Sequence, residues 1–226
     1  MRNRNLTTVL LTITFLSVVA FGQAKKNCDI SKENILARQV CNDEIKWKDS
    51  HIIWILPRIF NSVNVPAGIS IEFKKAGQKD ELNDFTPESF ILRDILNKVS
   101  IVQNQYLWKE VNGVVNIYPI KDYSILDIII KEFSVKDITR GEAIGKILET
   151  NEFKQYIKSK NMREADTSFF GGNFSKPVKN ISFDLKNATV REILNEIVRK
   201  NGNSTWIYRE YESENEGEIK TIYYLR

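Results

Sequence analysis

The spacing of apolar residues in the last part of the chain predicts a strand, a helix and two further strands. Apolar and polar residues alternate over 179–185, and this period of two is typical of a half-buried strand. A Thr-x-x-Glu capping box at Thr189 precedes apolar residues at helical spacing, and Gly202 is placed to end that helix. Two more strands, over 204–210 and 219–225, complete a β-α-β-β order.

The same order of elements is predicted earlier in the chain. An extended segment near 85–90 precedes a helix over 92–103. Two strands follow, over 105–110 and 114–118, and the Asn-Gly pair that begins at Asn112 is typical of a two-residue hairpin turn between them. We therefore expect two β-α-β-β units.

Each unit has a further strand and helix before it. The pattern predicts a helix over 52–63 and a strand over 68–74 before the first unit, and a strand over 125–133 and a helix over 141–156 before the second. Residues 160–177 carry no periodic pattern, and we interpret them as a mobile connection.

The two predicted units also match in sequence. Residues 92–99 align without a gap with residues 190–197, an offset of 98 (190 minus 92). At the same offset, Trp108 corresponds to Trp206. A self-match of this length indicates two copies of one supersecondary unit.

The N-terminus has the layout of a secretory signal peptide. Arg2 and Arg4 precede an apolar run over 6–21, and small residues up to Ala24 offer cleavage sites. The run of 16 residues is shorter than the roughly 20 that a membrane-spanning helix needs. We therefore expect 1–24 to be removed, and the mature chain to be periplasmic or secreted with no membrane span.

Export to an oxidising compartment bears on the two cysteines. Cys28 and Cys41 are the only pair, and a disulfide between them would stabilise the fold by about 3 kcal/mol through loop closure. Ser31 could cap a helix extending to about Gln39, so that the bond would tie this N-terminal helical segment, 25–49, to its own start. A redox or metal-binding pair is the alternative.

Composition argues against nucleic acid and against several chemistries. Without the signal peptide the chain has 31 basic and 29 acidic residues, a balance that does not favour a nucleic-acid partner. His51 is the sole histidine, so a metal site or a His-based catalytic triad has almost no ligands, and we expect no cofactor and no enzymatic activity. Arg93 and Arg191 recur at the repeat offset, which suggests structural roles beside Asp94 and Glu192.

The second unit resembles the secretin and TonB short N-terminal (STN) domain. The likeness rests on Ile181–Leu185, Asn187–Leu194 and Gly202; the first unit matches less well, through Phe90 and 92–99. The resemblance covers about 30 residues of each unit and implies small βαββ-type modules like those of exported bacterial envelope proteins.

The resemblance also sets the expected domain organisation. It implies an α+β fold with two related β-α-β-β modules, over 50–120 and 121–226, each with helices packed on a small sheet. Because the sequence stops at Arg226, directly after the last strand, we expect neither a secretin channel nor a receptor barrel.

The function predicted from these features is non-enzymatic binding of an envelope protein partner. Edge strands of small sheets recruit partner strands, and the strand over 219–225 is the expected edge. The predicted partner-binding residues are Trp206, Tyr208, Tyr223 and Tyr224. The repeat favours a core position for Trp206 instead, and the alternative for the tyrosines is an ordinary half-buried sheet. The alternative function is a periplasmic small-molecule or signal sensor with a pocket between the modules.

Overall fold

The computed structural model describes most of the chain beyond residue 33. The described ranges are 34–40, 47–50, 52–79, 83–86, 88–165, 179–202, 204–215 and 218–225. The predicted signal peptide and the predicted Cys28–Cys41 disulfide lie outside these ranges, as does His51.

The described residues form an α+β fold, as the sequence predicts. Its strands are β1 (Trp47–Ser50), β2 (Ala67–Lys74), β3 (Asn83–Phe85), β4 (Tyr106–Val111), β5 (Val114–Pro119), β6 (Ile129–Ile138), β7 (Met162–Glu164), β8 (Ile181–Thr189), β9 (Thr205–Asn215) and β10 (Glu218–Leu225). Its α-helices are α1 (Ile52–Ser62), α2 (Leu92–Val102), α3 (Arg140–Glu149), α4 (Asn151–Ser159) and α5 (Val190–Asn201). Short 3₁₀ turns lie at Ile35–Ala37 and Ser124–Asp127.

A six-stranded sheet runs through the centre of the molecule in the order β4-β5-β2-β9-β10-β7. Strands β4 and β5 pair antiparallel, as do β9 and β10, while β2 pairs parallel with both β5 and β9. The sheet therefore joins strands from both halves of the chain through the β2–β9 pair. Two smaller antiparallel sheets, β1-β3 and β6-β8, complete the strand pairing.

The two faces of the central sheet carry the helices of different halves. Along β2, Ala67, Ile69 and Ile71 point into a core that includes α1 and α2. Gly68 and Ser70 lie on the opposite face, where Gly68 meets a ring from β9 and Ser70 meets an arginine from α5. Because side chains alternate across a strand, one sheet supports two separate cores.

The cores differ in the helices that build them. The first packs Leu56 and Phe60 of α1 and Leu96 of α2 onto β2, β4 and β5. The second combines residues of α3, α4 and α5 with residues of the central sheet and of the β6-β8 sheet, and Ile193 and Leu194 are fully buried in it. Helix α1 contacts β1 and β2, and α5 contacts the β6-β8 sheet on one side and the central sheet on the other.

The two halves share the order and the pairing of their elements. In each half the first strand pairs antiparallel with the third, as in β1-β3 and β6-β8. The second strand pairs parallel with the last, as in β2-β5 and β7-β10, and the last two strands form a hairpin. That the halves are copies of one module, and that they belong to the STN type, stay predictions.

Local signals explain several element boundaries. Thr189 and Glu192 form the predicted capping box of α5, and Gly202 ends that helix with a positive φ of 69°. The turn between β4 and β5 has positive φ at Asn112 (52°) and Gly113 (78°), the geometry of a type I′ hairpin. These predictions are confirmed.

Other boundaries differ from the predicted ones. The helix predicted over 141–156 is divided, because Thr150 ends α3 and its hydroxyl accepts the N–H of Phe153 at the start of α4. Of the helix predicted from Ser31 to Gln39, the described part is only a 3₁₀ turn. The strand predicted over 125–133 begins later, at Ile129, after a 3₁₀ turn. The interpretation of 160–177 as a connection is wrong at its start, which forms β7.

The predicted edge strand needs a larger correction. Strand β10 lies inside the sheet, with β9 on one side and β7 on the other. Residues Thr221–Tyr223 pair with β7, so the centre of β10 is covered on both sides. Among the strands that the structure describes, β4 and β7 are the terminal ones of the central sheet.

Candidate functional site

The aromatic residues predicted to bind a partner lie mostly in the core. Trp206 and Tyr208 are fully buried, and Tyr223 is 5% exposed. The Tyr208 ring packs edge-to-face against Tyr123, with ring centroids 5.2 Å apart. The side chain of Tyr224 lies outside the described residues. The three buried rings stabilise the second core, so the area that a partner could touch must be sought elsewhere.

Equivalent tryptophans make equivalent hydrogen bonds in the two halves. Trp206 Nε1 donates to Asn195 Oδ1 on α5 at 2.9 Å, and Trp108 Nε1 donates to Asn97 Oδ1 on α2 at 3.2 Å. In each pair the asparagine and the tryptophan are eleven residues apart in sequence. The Asn195–Trp206 bond is buried, whereas Asn97 is exposed and Trp108 only partly buried. The same tryptophan–asparagine hydrogen bond is therefore buried in the second half and partly exposed to solvent in the first.

The cover over Trp206 includes the neighbouring strand β2. Gly68 is the register partner of Trp206, and a Cβ built at Gly68 would lie 2.1 Å from the indole ring. Only a residue without a side chain fits at this distance. The Ala67 N–H donates to the Ser204 carbonyl at 3.1 Å beside it. The halves thus meet through strand pairing where the sensor hypothesis places a pocket.

Strand β4 ends the central sheet, and its outer side carries no strand among the described residues. Val111 and Val114 close a two-residue hairpin and form its hydrogen-bonded pair. Hydrogen-bonded and non-bonded pairs alternate, so the backbone groups of Trp108 and Glu110 point away from β5. The outward backbone groups of Trp108 and Glu110 are the candidate functional site, and the strand that carries them (Tyr106–Val111) is called here the β4 edge.

Apolar side chains lie on one face beside the β4 edge. Leu107 is 45% exposed, and its register partner Tyr118 is partly buried. Ile120, which continues the same face of β5, is 68% exposed. The Lys109 ammonium lies 5.3 Å from the centre of the Tyr118 ring. An added strand could therefore gain apolar contacts as well as backbone hydrogen bonds.

A group of polar side chains lies where β2 and β9 pair, and it consists of Arg191, Asp122 and Ser70. Arg191 of α5 forms an ion pair with Asp122, which follows β5, and its guanidinium lies 5.8 Å from the Trp206 ring centre. Ser70 of β2 accepts a hydrogen bond from Arg191 at 3.5 Å. Burial raises the pKa of the Asp122 carboxyl, and the positive charge of Arg191 partly offsets this. Arg191 thus contacts Asp122 and Ser70, while Glu192, beside which the sequence predicts a structural role, belongs to the capping box.

A second polar group lies along β9. The Tyr208 hydroxyl donates to Glu210 Oε1 at 2.7 Å, and the Tyr123 hydroxyl donates to the Ile71 carbonyl. Burial raises the pKa of both tyrosines and also of Glu210, where the hydrogen bond from Tyr208 acts in the opposite direction. These bonds give the buried oxygens partners, so we assign the group a structural role.

Comparisons with known proteins return no relative. No family model matches the chain, and neither the curated proteins nor the solved structures give a match. No helix in the described part of the chain is long and apolar enough to cross a membrane. Within the same ranges, no three His, Cys, Asp or Glu side chains are grouped as metal ligands.

Sequence reasoning missed the β4 edge and Gly68, although signals for both were available. The hairpin turn at Asn112 shows which residues of β4 face outward, but only the sheet order shows that no described strand pairs with that side. Gly68 stands inside a strand of alternating apolar and polar residues, and a glycine there indicates close approach of a neighbouring group. The Asp122–Arg191 pair joins residues 69 positions apart and has no sequence signal.

Proposed function

We propose that this chain is an exported, non-enzymatic envelope protein that binds a protein partner by strand pairing at the β4 edge. The observation that carries the proposal is the outward row of backbone groups on β4, beside the exposed side chain of Leu107. Unpaired N–H and C=O groups on a terminal strand are what an added strand binds. The periplasmic or secreted location rests on the sequence of the first 24 residues.

The contrast between the two ends of the sheet supports this choice of edge. Strand β7 has three residues, whereas β4 has six and is held by a regular hairpin with β5. A longer edge offers more backbone hydrogen bonds to a partner. Lys109 and Glu110 on β4 are both exposed, and such charges limit unspecific edge-to-edge association.

Site-specific photo-cross-linking tests the proposal. A photoreactive residue placed at Leu107 should give a discrete adduct with an envelope protein in extracts of the native host. The same residue placed at Ile129 on β6, which is 56% exposed and remote in the strand order, should not give that adduct.

Two substitutions at one position provide the matched control. Glu110→Pro removes an outward N–H from β4, while Glu110→Ala removes only the side chain, which accepts the Gly113 N–H at 2.8 Å. The Leu107 adduct should disappear with Glu110→Pro and remain with Glu110→Ala. Equal adducts from both variants would contradict binding through the edge.

A further inference from the structure

We propose that the partner strand runs parallel to β4 and places a glycine beside Trp108. This inference rests on the proposed function and specifies the chemistry of the partner. It derives from the junction inside the chain, where β2 already pairs with β9 in this way.

Strands β4 and β9 occupy equivalent places in the two halves. Each follows a helix, each forms an antiparallel hairpin with the next strand, and each carries a tryptophan bonded to an asparagine of the preceding helix. The tryptophans are 98 residues apart, as are the asparagines, Asn97 and Asn195. The strand that pairs with the edge of β9 therefore indicates which kind of strand fits the corresponding edge of β4.

The occupant of the β9 side is a parallel strand with a glycine at one position. Strand β2 pairs with β9 from Ala67 to Lys74, with Gly68 opposite Trp206. The Trp206 ring leans over that position so closely that a Cβ there would lie 2.1 Å from it. The glycine thus makes room for the ring that the asparagine holds in place.

The tryptophan–asparagine hydrogen bond recurs at β4, where no strand among the described residues pairs with the outer side. The Asn97 side chain holds the Trp108 indole as Asn195 holds that of Trp206. Trp108 is only partly buried whereas Trp206 is fully buried, and a strand in the position of β2 would supply cover of that kind. Because the equivalent Trp206 ring leaves no room for a Cβ at Gly68, we expect glycine to be the residue that fits opposite Trp108.

Peptide binding to the mature chain, 25–226, tests the inference. The probe is a ten-residue peptide with the sequence of 66–75, PAGISIEFKK, which contains Gly68. The control peptide differs only by Gly68→Val. The glycine peptide should bind about tenfold or more tightly in calorimetry, because the valine side chain overlaps the indole.

A change in the protein should remove the preference. With Trp108→Ala the ring is absent, so the two peptides should bind with equal affinity. In Glu110→Pro neither peptide should bind, whereas Glu110→Ala should bind the glycine peptide as the unaltered chain does. Amide resonances of Tyr106–Val111 should shift on binding, and those of β9 should not.

Spin labels on the peptide determine its direction. A label at the peptide N-terminus should broaden the amides at the Tyr106 end of β4, and a label at its C-terminus those at the Val111 end. The reverse pattern would overturn the parallel arrangement. Shifts confined to β9 would show displacement of the internal β2 and would also overturn the inference.

The outcomes separate this inference from the proposed function. Equal binding of the glycine and valine peptides at β4 overturns the glycine requirement and leaves strand pairing at that edge intact. If neither peptide binds and Glu110→Pro does not remove the Leu107 adducts, both this inference and the proposed function are overturned.

Discussion

A tryptophan–asparagine hydrogen bond recurs in the two halves in different surroundings. In α5 and β9 it links two buried side chains, Asn195 and Trp206. In α2 and β4 it links Asn97, which is exposed, to Trp108, which is partly buried. Loss of a partner is costly only where water cannot replace it. The buried hydrogen bond should therefore contribute more to the free energy of unfolding than the exposed one.

Substitution of the two asparagines tests this difference. Asn195→Ala leaves the buried indole N–H of Trp206 without its acceptor, and we expect the free energy of unfolding to fall by about 1–3 kcal/mol. Asn97→Ala should cost less than about 1 kcal/mol, because water can reach the Trp108 N–H. Urea denaturation of both variants measures the difference, and equal losses would contradict it.

A partly buried acid on β9, Glu210, should make stability depend on pH. Burial raises the pKa of the Glu210 carboxyl above its ordinary value of 4.5, so the folded chain retains this proton to higher pH than the unfolded chain does. Unfolding releases the proton in the window between the two pKa values. The free energy of unfolding contributed by Glu210 therefore falls as pH rises from about 4.5 through the raised pKa.

Replacement of that acid should reduce the pH dependence. Glu210→Gln keeps an oxygen to accept the Tyr208 hydroxyl but cannot ionise. Thermal unfolding between pH 4 and pH 8 should show a smaller loss of stability with rising pH than in the unaltered chain. Glu132→Gln, which removes an exposed carboxyl on β6, is the matched control and should retain the original slope.

Helix starts distinguish the two halves at the level of elements. The capping box of α5 places the Thr189 hydroxyl 3.2 Å from the Glu192 N–H, and the Glu192 carboxylate in turn accepts the Thr189 N–H at 2.7 Å. Helix α2 begins instead after Ile91, whose side chain makes no capping hydrogen bond. The α5 start therefore depends on one side chain in a way that the α2 start does not.

Removal of that side chain should weaken α5. We expect Thr189→Ala to lower the free energy of unfolding by about 1 kcal/mol, since the first turn loses a capping acceptor. Thr189→Ser retains the hydroxyl and should restore most of the loss. Circular dichroism during urea unfolding provides the measurement, and a serine variant as unstable as the alanine variant would argue against capping.

The shared sheet unites the halves at the level of the whole molecule. Strand β2 packs one face against each core, and β9 pairs with the edge of β2 opposite to β5. A half made alone would expose β2 or Trp206 to water. We therefore expect neither half to be fully stable without the other.

Fragments provide the test. Chains 25–120 and 121–226, made separately, should associate one-to-one when mixed, and Trp206 emission should shift to shorter wavelength as its ring is covered. A first fragment carrying Gly68→Val should fail to associate, because the added side chain overlaps that ring. Association that is unaffected by this substitution would place the contact elsewhere.

Local patterns predict much of the fold, and long-range pairing accounts for what they miss. Alternation, capping boxes and the Asn112 turn place α2, α5, β4 and β5 within a few residues, because these signals act between near neighbours. The position of β10 inside the sheet depends on β7, whose three residues carry no pattern of their own. The candidate site was missed for the same reason: an edge is defined by which strands are absent beside it.

The β2–β9 pair also determines how this chain must fold. Ala67 pairs with Thr205, a separation of 138 residues (205 minus 67), so the join is made only when nearly all of the chain is available. Contacts so distant in sequence slow folding, and until they form one edge of β2 has no partner strand and its apolar side chains are incompletely covered. We expect a folding intermediate in which the first half is ordered before the second, and whose tendency to aggregate ends once β9 is in place.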